Sequence, residues 1–145
     1  MEIRKIRPYH IDELFEISKQ EFKEESWTYD QLLSSIGDDN YICAGLFDEG
    51  HLVCYVIAIQ SLDDINILSV ATKNEYKRQG HATRLLKWYK NLAENVEKTL
   101  SLEVKENNEV AKSLYSKLGF KEVSQRKNYY KDGKTAIVMF CELTQ

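Results

Sequence analysis

The chain has 145 residues, of which 43% are hydrophobic and 30% charged, with six glycines and a single proline. This length and composition predict one globular domain over residues 1–145 and exclude collagen-like, disordered and coiled-coil chains. The formal net charge of -3 differs from the basic excess of nucleic-acid-binding domains, so we expect no nucleic-acid partner.

The spacing of apolar residues alternates along the chain between the period of strands and the period of helices. In chain order it predicts a strand at 2–7, helices at 10–22 and 28–37, strands at 40–47, 51–61 and 65–72, a helix after Gly80, a strand at 99–104, a helix at 108–119, and strands at 120–129 and 134–143. Thr28 and Gln31 form a capping box for the second helix, and Asn107 or Asn108 can cap the last one. The fold class expected from this order is mixed α/β, with a mostly antiparallel twisted sheet flanked by helices.

Cysteine, histidine and apolar patterns bear on location and metal binding. No apolar run approaches the roughly 20 residues of a membrane span, and the amino terminus lacks a signal-peptide segment. We therefore expect a cytoplasmic protein without a membrane partner. Cys43, Cys54 and Cys141 are odd in number and have apolar neighbours, which is typical of buried thiols in a reducing compartment. The three histidines lie far apart, so we expect no metal.

Charge is unevenly distributed along the chain. The stretch from Asp12 to Glu49 has 11 acidic and two basic residues, whereas Lys73 to Lys134 has 15 basic and 8 acidic. Two ordinary solvated faces would explain this difference. A surface with an acidic side for a cationic substrate and a basic side for a polyanion would explain it as well.

A glycine turn precedes the third predicted helix, at residues 77–83. Gly80 allows a close approach of the main chain to a ligand, and successive amides at a helix start can bind a pyrophosphate. The turn has neither the GxxxxGK[ST] nor the GxGxxG pattern of nucleotide-binding loops. An ordinary turn into a helix would also explain it.

This turn and a longer motif downstream resemble the GCN5-related N-acetyltransferase family, abbreviated GNAT. The family's acetyl-CoA loop, Q/R-x-x-G-x-G/A, is present as Lys77-x-x-Gly80-x-Ala82, with lysine at its first position and alanine at its last. The second motif is Asn108-x-x-Ala111-x-x-Leu114-Tyr115-x-x-Leu118-Gly119-Phe120. Within the family the chain is most similar to the RimI type, which acetylates the amino-terminal alanine of a small-subunit ribosomal protein. That likeness depends on residues 76–80, 102–104, 108–120 and 126–130, and on Trp27.

The resemblance implies the GNAT (acyl-CoA N-acyltransferase) fold and direct transfer of acetyl from acetyl-CoA to a primary amine. It implies that Glu103 is the general base and Tyr115 the general acid. The acetyl-CoA contacts that it implies are Ser69, Val70, Ala71, Lys77, Arg78, Gln79, Gly80, His81, Ala82 and Asn108. From spacing alone, Glu103 could lie on a wet strand face, Tyr115 could be a core aromatic residue, and Asn108 could serve only as a helix cap.

The expected acceptor is a peptide or protein amino terminus, most of all that of a ribosomal protein. Its pKa of about 7.7–8.0 leaves a neutral fraction at physiological pH, whereas lysine at about 10.4 is almost fully protonated. Trp27, Tyr129 and Tyr130 are candidates for the acceptor pocket, and Trp88 is expected in the core. A lysine, polyamine or amino-sugar acceptor stays open, as does a non-catalytic acetyl-CoA-binding module. An acyl-cysteine route is disfavoured because no cysteine has a nearby sequence signal for an activating base, and direct attack by the amine needs no covalent step.

Overall fold

A computed structural model of the chain describes residues 1–143. The strands are β1 (Glu2–Lys5), β2 (Tyr41–Asp48), β3 (His51–Gln60), β4 (Asp64–Thr72), β5 (Thr99–Lys105), β6 (Phe120–Arg126) and β7 (Ala136–Cys141). The α-helices are α1 (Ile11–Phe22), α2 (Tyr29–Ile36), α3 (His81–Asn95) and α4 (Glu109–Lys117). None of the helices in these residues is long and apolar enough to cross a membrane.

The strands form one sheet in the order β1-β2-β3-β4-β5-β7-β6. Neighbouring strands are antiparallel everywhere except between β4 and β5, which are parallel. The predicted mixed α/β class and the predicted meander of β2, β3 and β4 are therefore confirmed. The parallel pair requires a crossover connection, and α3 supplies it.

Helices cover both faces of the sheet. One buried cluster lies between the sheet and the helices α3 and α4, and a second lies between the sheet and the helices α1 and α2. Tyr89 fixes α3 to the sheet, because its buried hydroxyl accepts a hydrogen bond from the amide of Ala44 at 3.0 Å and donates to the carbonyl of Val56 at 2.6 Å. A buried hydroxyl needs such partners. This anchor also fixes the position of the α3 amino terminus.

The parallel pair opens into a gap. β4 and β5 are paired only from Asp64 and Thr99 to Ile67 and Leu102. Beyond that point β4 continues beside β3 and β5 continues beside β7. Leu68 is an extra residue of β4 at the same point, because Ile57 pairs with Ser69 and Ala58 with Ile67. Such a bulge bends a strand, and here it lies where the two strands part.

Some predicted boundaries are wrong, chiefly in the last hairpin. β6 ends at Arg126 instead of residue 129, and β7 covers Ala136–Cys141 instead of 134–143. Residues 127–135 form a connection, in which Asn128 has a φ of 55° that interrupts extended backbone. β1 likewise ends at Lys5 instead of residue 7.

Local signals were more reliable. Thr28 and Gln31 do form a capping box, and Gly37 ends α2. Asn108 caps α4 by accepting a hydrogen bond from an amide of its first turn. The three cysteines are buried, as predicted. The predicted core position of Trp88 is wrong, because its side chain is 37% exposed on the outer face of α3.

Candidate active site

The turn before α3 presents free main-chain amides. Both Arg78 and Gly80 have left-handed backbone, with φ of 63° and 82°. The first helical hydrogen bond is donated by Arg84 to the carbonyl of Gly80 at 3.0 Å. The amides before it have no acceptor within the helix and carry the positive end of its dipole; they are those of His81, Ala82 and Thr83. This geometry can bind an anion such as a diphosphate.

Side chains of the turn leave this position open. A Cβ atom at Gly80 would meet nothing within 4 Å. Lys77, at the first position of the predicted loop motif, pairs instead with Glu21 of α1 at 2.9 Å. The side-chain oxygen of Gln79 lies 3.2 Å from Nε2 of His81. A ligand approaching Gly80 would therefore meet main chain first.

On the β4 side of the gap, the main-chain hydrogen bonds to β3 determine which residues direct their amides and carbonyls into the gap. The amide of Lys73 donates to a β3 carbonyl at 2.8 Å. Because main-chain groups alternate in direction along a strand, Ser69 and Ala71 also direct their amides and carbonyls toward β3. The residues whose main-chain groups face the gap are Val70 and Thr72. This side can therefore bind an extended ligand as a further strand would.

Glu103 lies on the β5 side of the gap. Its neighbours Leu102 and Val104 belong to the cluster beneath α3 and α4, so its side chain lies on the opposite face of the sheet. That side chain is 22% exposed, and its Oε2 atom is buried without a hydrogen-bond partner among the described residues. The Nε atom of Arg126 lies 3.6 Å away. Oε2 is thus an acceptor that protein hydrogen bonds leave available.

Tyr115 lies on the other face of the sheet from Glu103. It belongs to the cluster beneath α3 and α4, and burial, with a smaller effect of Tyr130, raises its pKa to about 12. Burial, followed by the charge of Glu103, likewise raises the pKa of Tyr130 to about 12. Tyr130 is therefore within electrostatic reach of both groups. Because Tyr115 keeps its proton at neutral pH, it is available as a donor.

The remaining predicted residues lie around this centre. Asn108 accepts a hydrogen bond from the amide of Ala111 at 3.1 Å and so caps the helix that carries Tyr115. Trp27 lines a largely apolar hollow of about 550 Å³ beside α1. Tyr129 is half-exposed and lies beneath the guanidinium of Arg126, 5.5 Å from ring centre to cation.

The sequence analysis gave no site role to Thr72, Lys105 or Arg126, although Arg126 belongs to the stretch 126–130 that carries part of the RimI likeness. Alternation along β4 from Val70 leads to Thr72, and alternation along β5 from Glu103 leads to Lys105, so strand period contained a signal for both. The approach of Arg126 to Glu103 depends on the pairing of three strands and left no local signal.

A model described as the "Acetyltransferase (GNAT) family" matches residues 7–120 of the chain. The chain belongs to this family. It is an acetyl-CoA-dependent N-acetyltransferase, and the family, fold and acetyl donor expected from its motifs are confirmed. No group of three or more metal-ligating side chains occurs in the part of the GNAT chain that the structure describes.

Similar proteins narrow the likeness within the GNAT family. The [ribosomal protein bS18]-alanine N-acetyltransferase of Haemophilus influenzae is 32% identical over 146 residues, covering 97% of this chain and 98% of that protein. The Escherichia coli protein of the same name is 34% identical over 120 residues, 78% of each chain. The crystal structure of the Escherichia coli ribosomal-protein-S18-alanine N-acetyltransferase has a TM-score of 0.89 at 28% identity, covering 99% of this chain and 94% of that one. The resemblance to the RimI type is thus confirmed.

Proposed function

We propose that this GNAT acetyltransferase acetylates the amino-terminal α-amino group of a ribosomal protein, with an alanine-initiated protein such as bS18 as the first candidate. Relatives that align with nearly the whole chain have this activity in their names. The observation that carries the proposal is the buried carboxylate oxygen of Glu103 beside the gap, which has no hydrogen-bond partner among the described residues. The proposal includes action in the cytoplasm, where ribosomal proteins are made.

Acetyl-CoA supplies the acetyl group as a thioester and leaves as a thiolate. The amides of His81 and Ala82 would bind its diphosphate, with Arg78 and Gln79 shaping the turn and Gly80 leaving the approach free. Main-chain groups of Val70 and Thr72 would pair with its extended arm, and such an amide can polarise the thioester carbonyl. The remaining predicted residues would stabilise the site without touching acetyl-CoA through their side chains. Ser69 and Ala71 pair with β3, Lys77 forms an ion pair with Glu21, and Asn108 caps α4.

Glu103 would remove the proton of the attacking amine, directly or through a water molecule. A carboxylate is suited to this because one of its oxygens is shielded and makes no competing hydrogen bond. In the free protein Arg126 holds the carboxylate in place from 3.6 Å. Binding of an acceptor in front of Glu103 would give Oε2 the hydrogen-bond partner that residues 1–143 do not provide.

Tyr115 would donate a hydrogen bond to the leaving sulfur and then its proton. With a pKa of about 12, against about 8.5 for a thiol, complete transfer in the ground state is uphill by about 5 kcal/mol. This cost is larger than for an ordinary phenol. The proton would therefore move only as the carbon–sulfur bond breaks, and the hydrogen bond would matter most before that.

An α-amino group is the better acceptor for such a site. At neutral pH a useful fraction of an amine with a pKa of about 7.7–8.0 is already neutral, so a single carboxylate base is sufficient. A lysine with a pKa of about 10.4 would need additional deprotonation. A lysine, polyamine or amino-sugar acceptor is the alternative for the same fold, and a non-catalytic acetyl-CoA-binding module is the alternative of another class.

A panel of amines tests the proposal through the release of CoA. The first substrate is a peptide with the amino-terminal sequence of bS18, and its control is the same peptide with a blocked terminus and its lysines intact. We expect turnover only with the free terminus. Equal rates would contradict the proposal, and faster turnover of a polyamine or amino sugar would favour the alternative acceptors. Thermal stabilisation by acetyl-CoA without turnover of any amine would favour the binding module.

A further inference from the structure

Two connecting segments of the chain both contact Lys105, which lies close to Glu103 on β5. Lys105 is the last residue of β5, two positions after Glu103 and on the same face. Its Nζ atom lies 3.0 Å from both carboxylate oxygens of Glu25 and 3.0 Å from Oδ2 of Asp132. The same atom lies 5.0 Å from the ring centre of Tyr130. Three side chains from two distant parts of the chain therefore surround one cation.

The partners of Lys105 come from two separate segments. Glu25 belongs to residues 23–28, which we call the α1–α2 segment, and Asp132 belongs to residues 127–135, the β6–β7 loop. These segments are about 100 residues apart in sequence and are joined through Lys105. Because Tyr130 and Asp132 of this loop both contact Lys105, two positions after Glu103 on the same face of β5, the loop lies beside Glu103.

The charge arrangement makes the lysine necessary for the contact. The side chain of Lys105 is 26% exposed, and the side chains of Glu25 and Asp132 are both less than half exposed. Hydrogen bonds to Glu25 and Asp132 raise the pKa of Lys105, so it stays charged over the working range of pH. Without this cation the two carboxylates would face each other, and the attraction between the segments would become repulsion. An isolated exposed ion pair has no such consequence.

The last turn of α1, next to the α1–α2 segment, contacts the β4 side of the gap. Glu21, in the last turn of α1, binds Lys77 of the turn after β4 at 2.9 Å. Glu25 binds Lys105 at the end of β5. Residues 21–25 therefore cross the open end of the gap and are attached on both sides. The Lys105 contact is the one that also includes the β6–β7 loop.

We propose that Lys105 is a positioning residue that joins the α1–α2 segment and the β6–β7 loop into one wall of the acceptor site. It acts through Glu25 and Asp132 and makes no bond to the acceptor. This role rests on the proposed function, because it places the acceptor on the face of the sheet where Glu103 lies.

The first test measures the free protein and needs no acceptor. Hydrogen–deuterium exchange is compared for the wild type, Lys105→Met and the conservative Lys105→Arg. The control is Lys121→Met on β6, which removes an exposed ion pair with Glu142. We expect amide exchange in residues 23–28 and 127–135 to rise together by about tenfold in Lys105→Met only. Unchanged exchange, or a rise in one segment alone, would overturn the proposal whatever the acceptor is.

The second test separates positioning from direct contact by steady-state kinetics on the bS18 peptide. We expect Lys105→Met to raise the peptide KM about tenfold, with kcat and the acetyl-CoA KM within twofold, and Lys105→Arg to restore it. The double variant Glu25→Gln/Asp132→Asn should show the same rise, and Lys105→Met should add nothing to it. A further loss on that background would mean that Lys105 touches the acceptor, which contradicts the proposal. Absence of peptide turnover in the wild type would refute the proposed function and leave the exchange result standing.

Discussion

Glu103 is a charged residue on an interior strand of the sheet, and one of its oxygens has no hydrogen-bond partner among the described residues. Leaving a buried acceptor unpaired costs about 1–3 kcal/mol, which is a large fraction of the stability of a small domain. The neighbouring Arg126 offsets part of this cost from 3.6 Å. Groups that are kept at such a cost are found most often where chemistry occurs.

Replacing Glu103 by glutamine should lower turnover in a pH-dependent way. At pH 7 we expect kcat/KM to fall about 100-fold, because general-base catalysis is lost. Above about pH 8 the α-amine is mostly neutral without a base, so the difference should narrow. Profiles of kcat/KM between pH 6 and 9 measure this.

The matched control is Glu122→Gln, which removes an exposed carboxylate on β6. It should behave as the wild type. A loss in Glu103→Gln that is the same at every pH would show that the carboxylate does not act by deprotonating the ammonium form of the acceptor.

Replacing Tyr115 by phenylalanine should affect the chemical step without affecting donor binding. The ring packs against Phe120 and stays in the core, whereas the hydroxyl is lost. We expect kcat to fall by between about 10- and 100-fold, with the acetyl-CoA dissociation constant within twofold of the wild type. Titration calorimetry and steady-state rates give the two values. Tyr9→Phe, at a residue that is 81% exposed, is the control, and an equal effect of both variants would exclude the acid role.

At the scale of elements, the turn before α3 combines a left-handed glycine, an open space beside it and unpaired helical amides. Each property depends on the helix starting at His81 and on Tyr89 holding the helix against the sheet. The proposed diphosphate site is thus a product of helix placement, and substitutions of its exposed side chains should matter less than a change of its main chain.

Gly80→Ala tests this element. The new methyl group has room, so the variant should fold with a stability loss of about 1–2 kcal/mol from the left-handed backbone. The methyl group would occupy the approach of the diphosphate, and we expect at least a tenfold weaker affinity for acetyl-CoA. Gly50→Ala is a close control, because Gly50 has a φ of 83° against 82° for Gly80 and is equally open. Equal affinities in both variants, measured by calorimetry, would contradict the assignment.

Elements with local signals were predictable, and their long-range arrangement was not. The α2 capping box needs only Thr28 and Gln31, and α3 needs only the turn and its apolar stripe. In the sequence, Val96 continues the helical spacing of Tyr89 and Leu92, but α3 ends at Asn95 and Val96 is 46% exposed. The last hairpin was extended too far because Asp132-Gly133 is the turn signal of this stretch, whereas the chain already leaves extended backbone at Asn128. The gap could not be predicted from the sequence, since it arises because β4 and β5 separate after a short paired stretch.

At the scale of the whole molecule, the acidic and basic stretches of the sequence interlock at the gap. Glu21 binds Lys77 and Glu25 binds Lys105, so each pair joins the acidic first part to the basic second part. The structure therefore uses some of the charge difference internally. Neither of the two explanations offered by the composition, solvated faces or a divided surface, describes these residues.

Buried thiols predict how the stability of the molecule depends on pH. Burial raises the pKa of Cys43 from 9.0 to about 12 and that of Cys54 to about 11. Unfolded thiols ionise first as pH rises, so the stabilisation is complete below pH 9 and is lost between pH 9 and about 12. We expect the free energy of unfolding to fall with a slope of up to about 3 kcal/mol per pH unit from the two thiols together.

Urea unfolding under reducing conditions at pH 8, 9 and 10 measures this slope. Cys43→Ala removes one of the two groups and should reduce the slope by up to about 1.4 kcal/mol per pH unit, whatever its effect on stability at pH 8. Parallel curves for the variant and the wild type would mean that the Cys43 thiol ionises as readily in the folded protein as in the unfolded chain.

The two candidate proton-handling groups, Glu103 and Tyr115, lie on opposite faces of one sheet. An acceptor peptide that reaches Glu103 and an acetyl-CoA molecule that reaches Tyr115 would approach from different faces of the sheet. Neither would block the entry of the other. The modified peptide can then depart while the spent carrier is still in place, or the reverse, and a fresh molecule can load on one side before the other side has emptied.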